Sequence, residues 1–435
     1  MVRILRTRKW IVLAMLVAGA LPGSVVLSAG AAAGAYEATM GVRYGDAAAT
    51  AAAPILTPIA LPAFPGAYAI WGSVSRLSSG HIWFGVSASG VPTPSAHLFE
   101  YVPESGALTD HGDVVSQLKR LGLYHEGEGQ AKIHSRIVQA ADGYLYFASM
   151  DEDGEVTDGT RLPTWGGHLW RVKPGSNQWE HLFAAKEALI AVAGSGTRIY
   201  ALGYFDHVLY QFDTATRRVR SIHVGAAGGH ISRNFAADEH GHVYVTRLAA
   251  EAGDAKKMHT TLVEFDAELK QIAETPIAHY TQTRDDESHG IVGVQYLADH
   301  SLVIATDRGF LYRIAPRLNA PADVQELGSF HPKGEAYIAT MVTDDGHSHL
   351  MGASRRQWNG DNRYEWVVFD LATRTSTAVP LEIPRDGGQA LDGLLLYGSM
   401  ASDDAGRYYF VGAYTRTGRF FPVIFQARAA PAPLK

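Results

Sequence analysis

The chain has 435 residues, no cysteine and a formal net charge of −6. Without cysteine, disulfides, a lipid-modified cysteine and thiol catalysis are excluded, so a large hydrophobic core has to hold the fold. The negative charge opposes binding to nucleic acid, and any anionic ligand must therefore be met by a local cluster of basic side chains.

The N-terminus has the layout of an export signal. Four basic residues within the first nine precede a long uncharged stretch that changes from Leu and Val to Ala and Gly, with a small-residue cleavage site at Ala33-Gly34-Ala35. We expect a signal peptide over residues 1–35, a secreted or periplasmic protein, and no stable membrane insertion after cleavage. A retained anchor is the alternative, since the uncharged run is long enough to span a bilayer, but Pro22-Gly23 favours cleavage.

An Ala-rich linker is expected over residues 36–54. Removal of the signal lowers the count of Lys and Arg from 38 to 34 against 44 acidic residues, which leaves −10 for the mature chain.

From residue 55 to 430 the sequence repeats one unit. Each unit has a small turn followed by a short apolar strand, and seven such strands can be counted: HIWFGV, YLYFAS, RIYALG, HVYVTR, LVIATD, HLMGAS and RYYFVG. Further strands flank each of them, giving a period of about 45 to 60 residues, which is typical of propeller blades. The sequence predicts an all-β fold, a seven-bladed β-propeller in a single domain.

The ends of the repeat region predict how the ring closes. The last repeat ends after its third strand, so we expect the early segment ILTPIA to supply the missing strand. Two separate sandwich domains would be the alternative. That arrangement needs a linker in the middle of the chain, whereas the repeats continue evenly across it.

Loop lengths predict which face of the propeller is functional. The turns AADG, ADEHG and TDDG are tight, whereas MDEDGEVTDGTRLPTWGG, RLAAEAGDAKKMH and SRRQWNGDNRY, between second and third strands, are long. Long loops on one face are typical of a binding or catalytic surface. The acidic run DEDGEVTD, residues 151–158, lacks the spacing of an EF-hand loop, so we interpret it as a solvated acidic loop.

Three predicted inner strands begin with histidine on the long-loop face, in KIHSRIV, GGHISRN and ESHGIVG. The candidate catalytic residues are His134, His230, His289 and Arg233. The candidate substrate-binding residues are Arg136, Asn234, Arg247, Arg355, Trp358, Arg363, Tyr364 and Tyr414. The plainer alternative is that the histidines are structural and that some of the arginines hold loops through salt bridges.

Histidine beside arginine suits elimination at a uronic acid. Removal of the C-5 proton requires the charge of the neighbouring carboxylate to be offset, which arginine does bidentately. Histidine is suited to the role of base because its pKa lies near neutral pH. Glycosidases instead use two carboxylates, and the predicted rim is rich in His and Arg and poor in paired acids.

The segments KIHSRIVQAADGYLYFAS, GGHISRNFAADEHGHVYVTR and SHGIVGVQYLADHSLVIATDRGFLYRI, together with the blade count, resemble seven-bladed propeller polysaccharide lyases, including ulvan lyases and rhamnose–glucuronate lyases. The resemblance implies cleavage of an acidic polysaccharide by a carbon–oxygen lyase. It implies His134 or His230 as base, with Arg233 and Asn234 holding the uronate.

Three further points follow from the sequence. No cofactor is indicated, and no compact motif assigns a metal, although some relatives of this kind carry one, so a divalent ion such as calcium or zinc stays open. We expect a monomer whose partner is an acidic polysaccharide or oligosaccharide. The alternatives are a non-catalytic carbohydrate- or protein-binding propeller at the cell surface, and a lactonase or quinoprotein-type propeller, whose acidic ligands or tryptophan-docking repeats the chain lacks.

Overall fold

The strands form seven separate sheets, one for each predicted blade. The computed structural model describes residues 52–156, 160–204, 206–225, 232–251, 254–280, 290–344, 347–356, 363–385 and 391–428. The expected signal peptide and most of the expected linker lie outside these ranges. Within the part of the chain that is described, no helix combines the length and apolar character needed to cross a membrane.

The first three blades span the N-terminal half of the ring. Blade 1 contains β2 (Ala67–Ala69), β3 (Ser75–Arg76), β4 (Ile82–Ala88), β5 (His97–Val102) and β6 (Ala107–Asp113), followed by helix α1 (Val114–Leu121). Blade 2 contains β7 (Val138–Gln139), β8 (Leu145–Met150), β9 (Gly167–Val172) and β10 (Trp179–Ala185). Blade 3 contains β11 (Leu189–Ser195), β12 (Arg198–Gly203), β13 (Val208–Asp213) and β14 (Val219–His223).

The remaining blades follow the same order from inner to outer strand. Blade 4 contains β15 (Ala236–Ala237), β16 (Val243–Glu251), β17 (Asp254–Phe265) and β18 (Gln271–Ile277). Blade 5 contains β19 (Ile291–Tyr296), β20 (Leu302–Thr306), β21 (Phe310–Ala315) and β22 (Asp323–Ser329). Blade 6 contains β23 (Tyr337–Ile338), β24 (Val342–Thr343), β25 (His349–Arg355), β26 (Glu365–Asp370) and β27 (Thr375–Pro380).

Blade 7 joins the two ends of the chain. It contains β28 (Asp392–Ser402), β29 (Arg407–Arg416) and β30 (Arg419–Arg428), and its outer strand is β1 (Ile55–Pro58). β1 pairs antiparallel with β30, with Ile55 opposite Arg428 and Pro58 opposite Phe425. The prediction that ILTPIA completes the last blade is confirmed, and with it the seven-bladed all-β fold.

Helix α1 is the one α-helix among the described residues and covers the outer side of blades 1 and 2. The side chain of Asp113 caps it by accepting the amide of Ser116, and Gly122 ends it in the left-handed region at φ 69°. Its residues Val114 and Leu118 are buried against Trp179 of blade 2.

The tight turns between inner and second strands use a repeated pair of residues. The hydroxyl of Tyr146 donates to Asp142, that of Tyr244 to Asp238 and that of Tyr409 to Asp403, each at 2.7 Å. A glycine in each turn has positive φ, which residues other than glycine rarely adopt. These turns face away from the long loops, as predicted.

Several inner strands are shorter than the sequence suggests. β7, β15 and β23 have two residues each. Beside two of these strands a hydroxyl takes the place of a backbone acceptor: Ser135 Oγ, before β7, accepts the amide of Ala148 at 2.8 Å, and Thr340 Oγ1, after β23, accepts the amide of Ala353 at 2.9 Å. The backbone at these two positions is therefore irregular.

One predicted loop is in fact a hairpin. β16 extends to Glu251 and β17 begins at Asp254, so both strands reach into the segment RLAAEAGDAKKMH, with Ala249 opposite His259 and Ala250 opposite Met258. The expectation of a long loop at this position was wrong, because Leu248 and Met258 pack together with Tyr280 and support the extended strands.

Candidate functional site

Most of the predicted site residues lie in described parts of the chain, but three do not. His230, His289 and Trp358 fall outside the described residues. Of the predicted catalytic group, His134 and Arg233 are described and lie near each other, since Arg233 acts electrostatically on the His134 imidazole.

His134 and Arg233 belong to a larger group of side chains on the long-loop face, here called the mouth cluster. Its members come from six blades and interact through ion pairs, ring contacts and charge: Tyr68, Trp71, Lys132, His134, Glu152, Glu155, Tyr204, Arg233, Tyr337, Arg355 and Tyr397. Converging polar and aromatic groups of this kind are typical of ligand sites.

The imidazole of His134 is neutral and has a fixed tautomer. It is 5% exposed, and its Nδ1 lies 3.2 Å from the carbonyl oxygen of Ile190. Because a carbonyl only accepts, Nδ1 carries the proton and Nε2 is the basic nitrogen. Burial, followed by the charges of Arg233 and Lys132, lowers the pKa of His134 well below its usual value.

Arg233 has an unused hydrogen-bond donor. Its Nε is buried and makes no hydrogen bond to any described residue. The guanidinium lies over the ring of Tyr204, with 5.6 Å from Cζ to the ring centroid. Burial raises the pKa of Tyr204 to about 12, so its hydroxyl stays protonated at neutral pH. A buried donor without a partner indicates space for an acceptor that the chain does not supply.

Lys132 supplies a second cation. It forms an ion pair with Glu152, and its ammonium lies 5.5 Å from the centre of the Trp71 ring. Burial alone would lower the pKa of Lys132, but the charge of Glu152 outweighs it and the net shift is upward. The lysine is therefore charged, and it acts electrostatically on His134, two residues further along the chain.

Arg355 brings a third cation from blade 6. Its guanidinium lies 4.9 Å from the ring centre of Tyr337 and 3.4 Å from the hydroxyl of Tyr364. Tyr364 is 2% exposed, accepts the amide of Leu396 at 2.8 Å and donates to the carbonyl of Leu394. Tyr364 thus acts as the support that orients Arg355.

Aromatic side chains wall the mouth cluster on the side of blades 1 and 7. The rings of Trp71 and Tyr397 meet edge to face at 4.5 Å, and Trp71 Nε1 donates to the hydroxyl of Tyr68 at 3.0 Å. Across the cluster, the hydroxyl of Tyr337 is buried and has no hydrogen-bond partner among the described residues. The cluster therefore contains a second unused polar group besides Arg233 Nε.

The acidic segment of blade 2 is folded into this site. Asp151 is 2% exposed and accepts the amides of Asp153 at 2.9 Å and Trp165 at 3.0 Å. Burial raises the pKa of Asp151 to about 7. The interpretation of residues 151–158 as a solvated loop was therefore wrong for Asp151, whereas Asp153 is exposed as expected. With Glu152 and Glu155 in the mouth cluster, the rim is richer in acids than the sequence suggested.

The other described candidates take structural positions. Arg247 Nη1 pairs with Glu274 at 3.0 Å and its Nε donates to the carbonyl of Val224. Asn234 is 1% exposed and donates to the carbonyl of Ile291, which ties blade 4 to blade 5.

The last three candidates are Tyr414, Arg363 and Arg136. Tyr414 stacks on Phe421 at 5.6 Å. Arg363 is exposed, and Arg136 acts electrostatically on Tyr296 of blade 5.

Sequence reasoning missed much of the mouth cluster: Tyr68, Trp71, Lys132, Glu152, Glu155, Tyr204, Tyr337 and Tyr397. A usable signal existed for Lys132, which alternates with His134 in KIHSR, and for Tyr337, which begins the inner strand of blade 6. Within the described ranges, no group of three or more His, Asp or Glu side chains has a geometry that could hold a metal ion.

No family model and no curated protein matches the chain. Among solved structures, it is similar to the extracellular domain of the putative hybrid two-component system BT4673 from B. thetaiotaomicron, at 13% identity and a TM-score of 0.49 over 87% of this chain. The chain spans 40% of the length of that structure.

Two other similar structures match over nearly their whole length. The β-propeller domain of Cps50 (Swd1) from Myceliophteria thermophila is 11% identical with a TM-score of 0.47, over 86% of this chain and 100% of that one. U3-55K is 10% identical with a TM-score of 0.48, over 86% and 98%. Likeness at this level transfers no activity, ligand or partner to this chain.

Proposed function

We propose that the protein is a secreted or periplasmic polysaccharide lyase that cleaves a uronic-acid-containing polysaccharide by β-elimination at the mouth cluster. The observation that carries the proposal is the buried, unpartnered Nε of Arg233 beside the neutral imidazole of His134. A carboxylate acceptor would satisfy the arginine, and the neutral imidazole can accept a proton.

Charge supports an anionic substrate. Lys132, Arg233 and Arg355 converge on one site in a chain whose net charge is −6. Such a local concentration of cations attracts an anion that the rest of the surface repels. Of the partners expected from the sequence, an acidic oligosaccharide fits this pattern, and we propose that the protein binds it as a monomer.

The protonation state of His134 suits a base that is activated by its substrate. In the absence of substrate, Arg233 and Lys132 help to hold its pKa low. A uronate carboxylate bound to Arg233 would offset these charges, which raises the pKa of the imidazole toward neutral pH. Proton transfer from C-5 to Nε2 then becomes more favourable when the correct substrate is bound.

The aromatic wall supports a sugar ligand. Trp71 and Tyr68 are partly exposed, and their rings are held by the hydrogen bond between them. Aromatic rings offer an apolar surface with a polar edge, which suits the face of a pyranose and its hydroxyls. We place the uronate between this wall and Arg233.

The test measures ultraviolet absorbance of the unsaturated uronate product with gum arabic, ulvan and pectic fragments. Wild type, His134→Ala and the control His223→Ala run side by side, with and without chelator, because His223 is an exposed residue of β14. We expect turnover by wild type and His223→Ala and at least a 100-fold loss in His134→Ala.

Two outcomes would count against the proposal. Absence of product across the panel, with oligosaccharide still bound by the folded protein, would favour a non-catalytic binding propeller. Reducing ends without ultraviolet absorbance would indicate hydrolysis, for which Glu152 and Glu155 would be the carboxylates to examine. Loss of activity in chelator would show that a divalent metal takes part.

A further inference from the structure

Glu155 is a partly exposed residue of the mouth cluster that the proposed base and carboxylate clamp do not use. Its Oε2 is buried and makes no hydrogen bond to the described residues. Arg233, Lys132 and Glu152 all act on it electrostatically. It therefore lies within the electrostatic range of the cations that would hold the uronate, and its Oε2 is available to a ligand.

The segment that carries Glu155 is held in place by a ladder of hydrogen bonds. The amide of Asp151 donates to Gly166 at 2.8 Å, the amide of Thr164 donates to Asp153 at 2.8 Å, and the amide of Val156 donates to the carbonyl of Arg161 at 2.9 Å. The two arms of this loop are thus joined by hydrogen bonds on both sides of Glu155. The main chain at Glu155 is therefore held in place, which favours the positioning that a group acting directly on a substrate requires.

The two glutamates of this loop have different partners. Glu152 forms an ion pair with Lys132. Burial, followed by the negative charge of Glu152, raises the pKa of Glu155 far above its ordinary value. A carboxyl whose pKa is raised by its surroundings in this way is typical of a group that donates a proton.

We propose that Glu155 is the general acid that protonates the departing sugar oxygen in the elimination. This inference rests on the proposed function and assigns a residue to its second proton transfer. The leaving oxygen is on C-4, the neighbour of C-5, whose carboxylate is held by Arg233. Glu155 lies within the electrostatic range of Arg233, on the side of the cluster where this oxygen would depart in the proposed arrangement.

The step balances as follows. The C-5 proton moves to Nε2 of His134, and the electrons of the C-5–H bond form the C-4=C-5 double bond. The C-4–O bond breaks, and the oxygen takes the proton of Glu155 as it departs. Glu155 is left as a carboxylate and His134 as an imidazolium, and exchange with water restores both after the product leaves.

The experiment compares two substrates whose leaving groups differ in their need for a proton. One is the polysaccharide that wild type cleaves; the other is a synthetic uronate with a 4-nitrophenyl ether at C-4, whose phenolate leaves without protonation. For Glu155→Gln, we expect turnover of the polysaccharide to fall 100- to 10,000-fold. We expect turnover of the nitrophenyl ether to fall less than 10-fold.

The controls separate folding, this inference and the proposed function. Glu268→Gln changes a glutamate that is 65% exposed and controls for the loss of a negative charge, and Glu155→Asp retains the acid if the amide variant does not fold. Equal losses on both substrates, or no loss on either, would overturn the role of Glu155. Absence of unsaturated product from wild type on both substrates would instead overturn the proposed function.

Discussion

The unpartnered hydroxyl of Tyr337 gives the sharpest test of the mouth cluster, because the same substitution should stabilise the protein and impair its function. Tyr337 is 6% exposed, and its hydroxyl has no hydrogen-bond partner in the described part of the chain. Burying a hydroxyl without a partner costs about 1 to 3 kcal/mol in proteins. Tyr337→Phe removes the hydroxyl and keeps the ring that lies against Arg355.

We expect Tyr337→Phe to raise the free energy of unfolding by about 1 to 2 kcal/mol. For a propeller of roughly 370 residues, the entropy of unfolding is about 0.8 kcal/mol per kelvin, so the melting temperature rises by about 1 to 3 °C. Under the proposed function, turnover of the acidic polysaccharide should fall, because the substrate loses a hydrogen bond to the hydroxyl of Tyr337. Urea unfolding and the ultraviolet assay measure the two effects.

Tyr244→Phe is the matched control. Tyr244 is fully buried and donates to Asp238 at 2.7 Å, so its removal leaves a buried carboxylate short of one donor. This variant should lose about 1.5 to 3 kcal/mol and keep its turnover. If Tyr337→Phe were destabilised as much as Tyr244→Phe, the hydroxyl of Tyr337 would have a partner, and the assignment of an unused polar group to the site would be refuted.

Leu56→Ala should lower the free energy of unfolding by about 2 to 3 kcal/mol, because Leu56 is only 6% exposed. Ile55→Ala should change it by less than about 0.5 kcal/mol, because Ile55 is 59% exposed. Urea unfolding measures both effects, and equal effects would contradict the packing of β1 into blade 7. Arg247→Met should lower the free energy of unfolding by about 1 kcal/mol, because the ion pair with Glu274 is lost, and should leave turnover unchanged. A large loss of turnover would instead indicate that Arg247 takes part in the site. Burial, with Asp206 second, raises the pKa of Glu187 from 4.5 to about 8, so the native state holds an extra proton between these values and stability falls as pH rises across them. In Glu187→Gln, the free energy of unfolding should therefore decrease less between pH 5 and pH 8 than in wild type, as measured by urea unfolding at both pH values. An unchanged pH dependence would contradict the raised pKa of Glu187.

The sequence predicted the fold well because the propeller is a repeat of one local pattern. Alternating apolar strands, Gly-containing turns and the missing last strand are all visible without tertiary information, and β1 pairs with β30 as expected. The extended hairpin of β16 and β17 was not predicted, since its support by Tyr280 comes from a distant part of the chain.

The site was predicted less completely, for a physical reason. Which side chains face the mouth depends on the irregular backbone next to the inner strands, where the hydroxyls of Ser135 and Thr340 take the place of backbone acceptors. Nothing in the sequence of the acidic run indicates that its Glu152 forms an ion pair with Lys132 and therefore lies in the mouth cluster. The repeat pattern proposed His134, Arg233 and Arg247 alike; the first two lie in the mouth cluster, whereas Arg247 forms a salt bridge within its blade.

The pairing of β1 with β30 also dictates when the chain can fold. β1 can pair only after β30 has been synthesised. At about 5 to 20 residues per second, the roughly 370 residues between them take about 20 to 75 s to synthesise. Until then the ring has an open edge, and contacts between distant segments are slow to form. A chain that crosses a membrane unfolded would benefit from such a delay, so the pairing of β1 with β30 is compatible with the export that we propose.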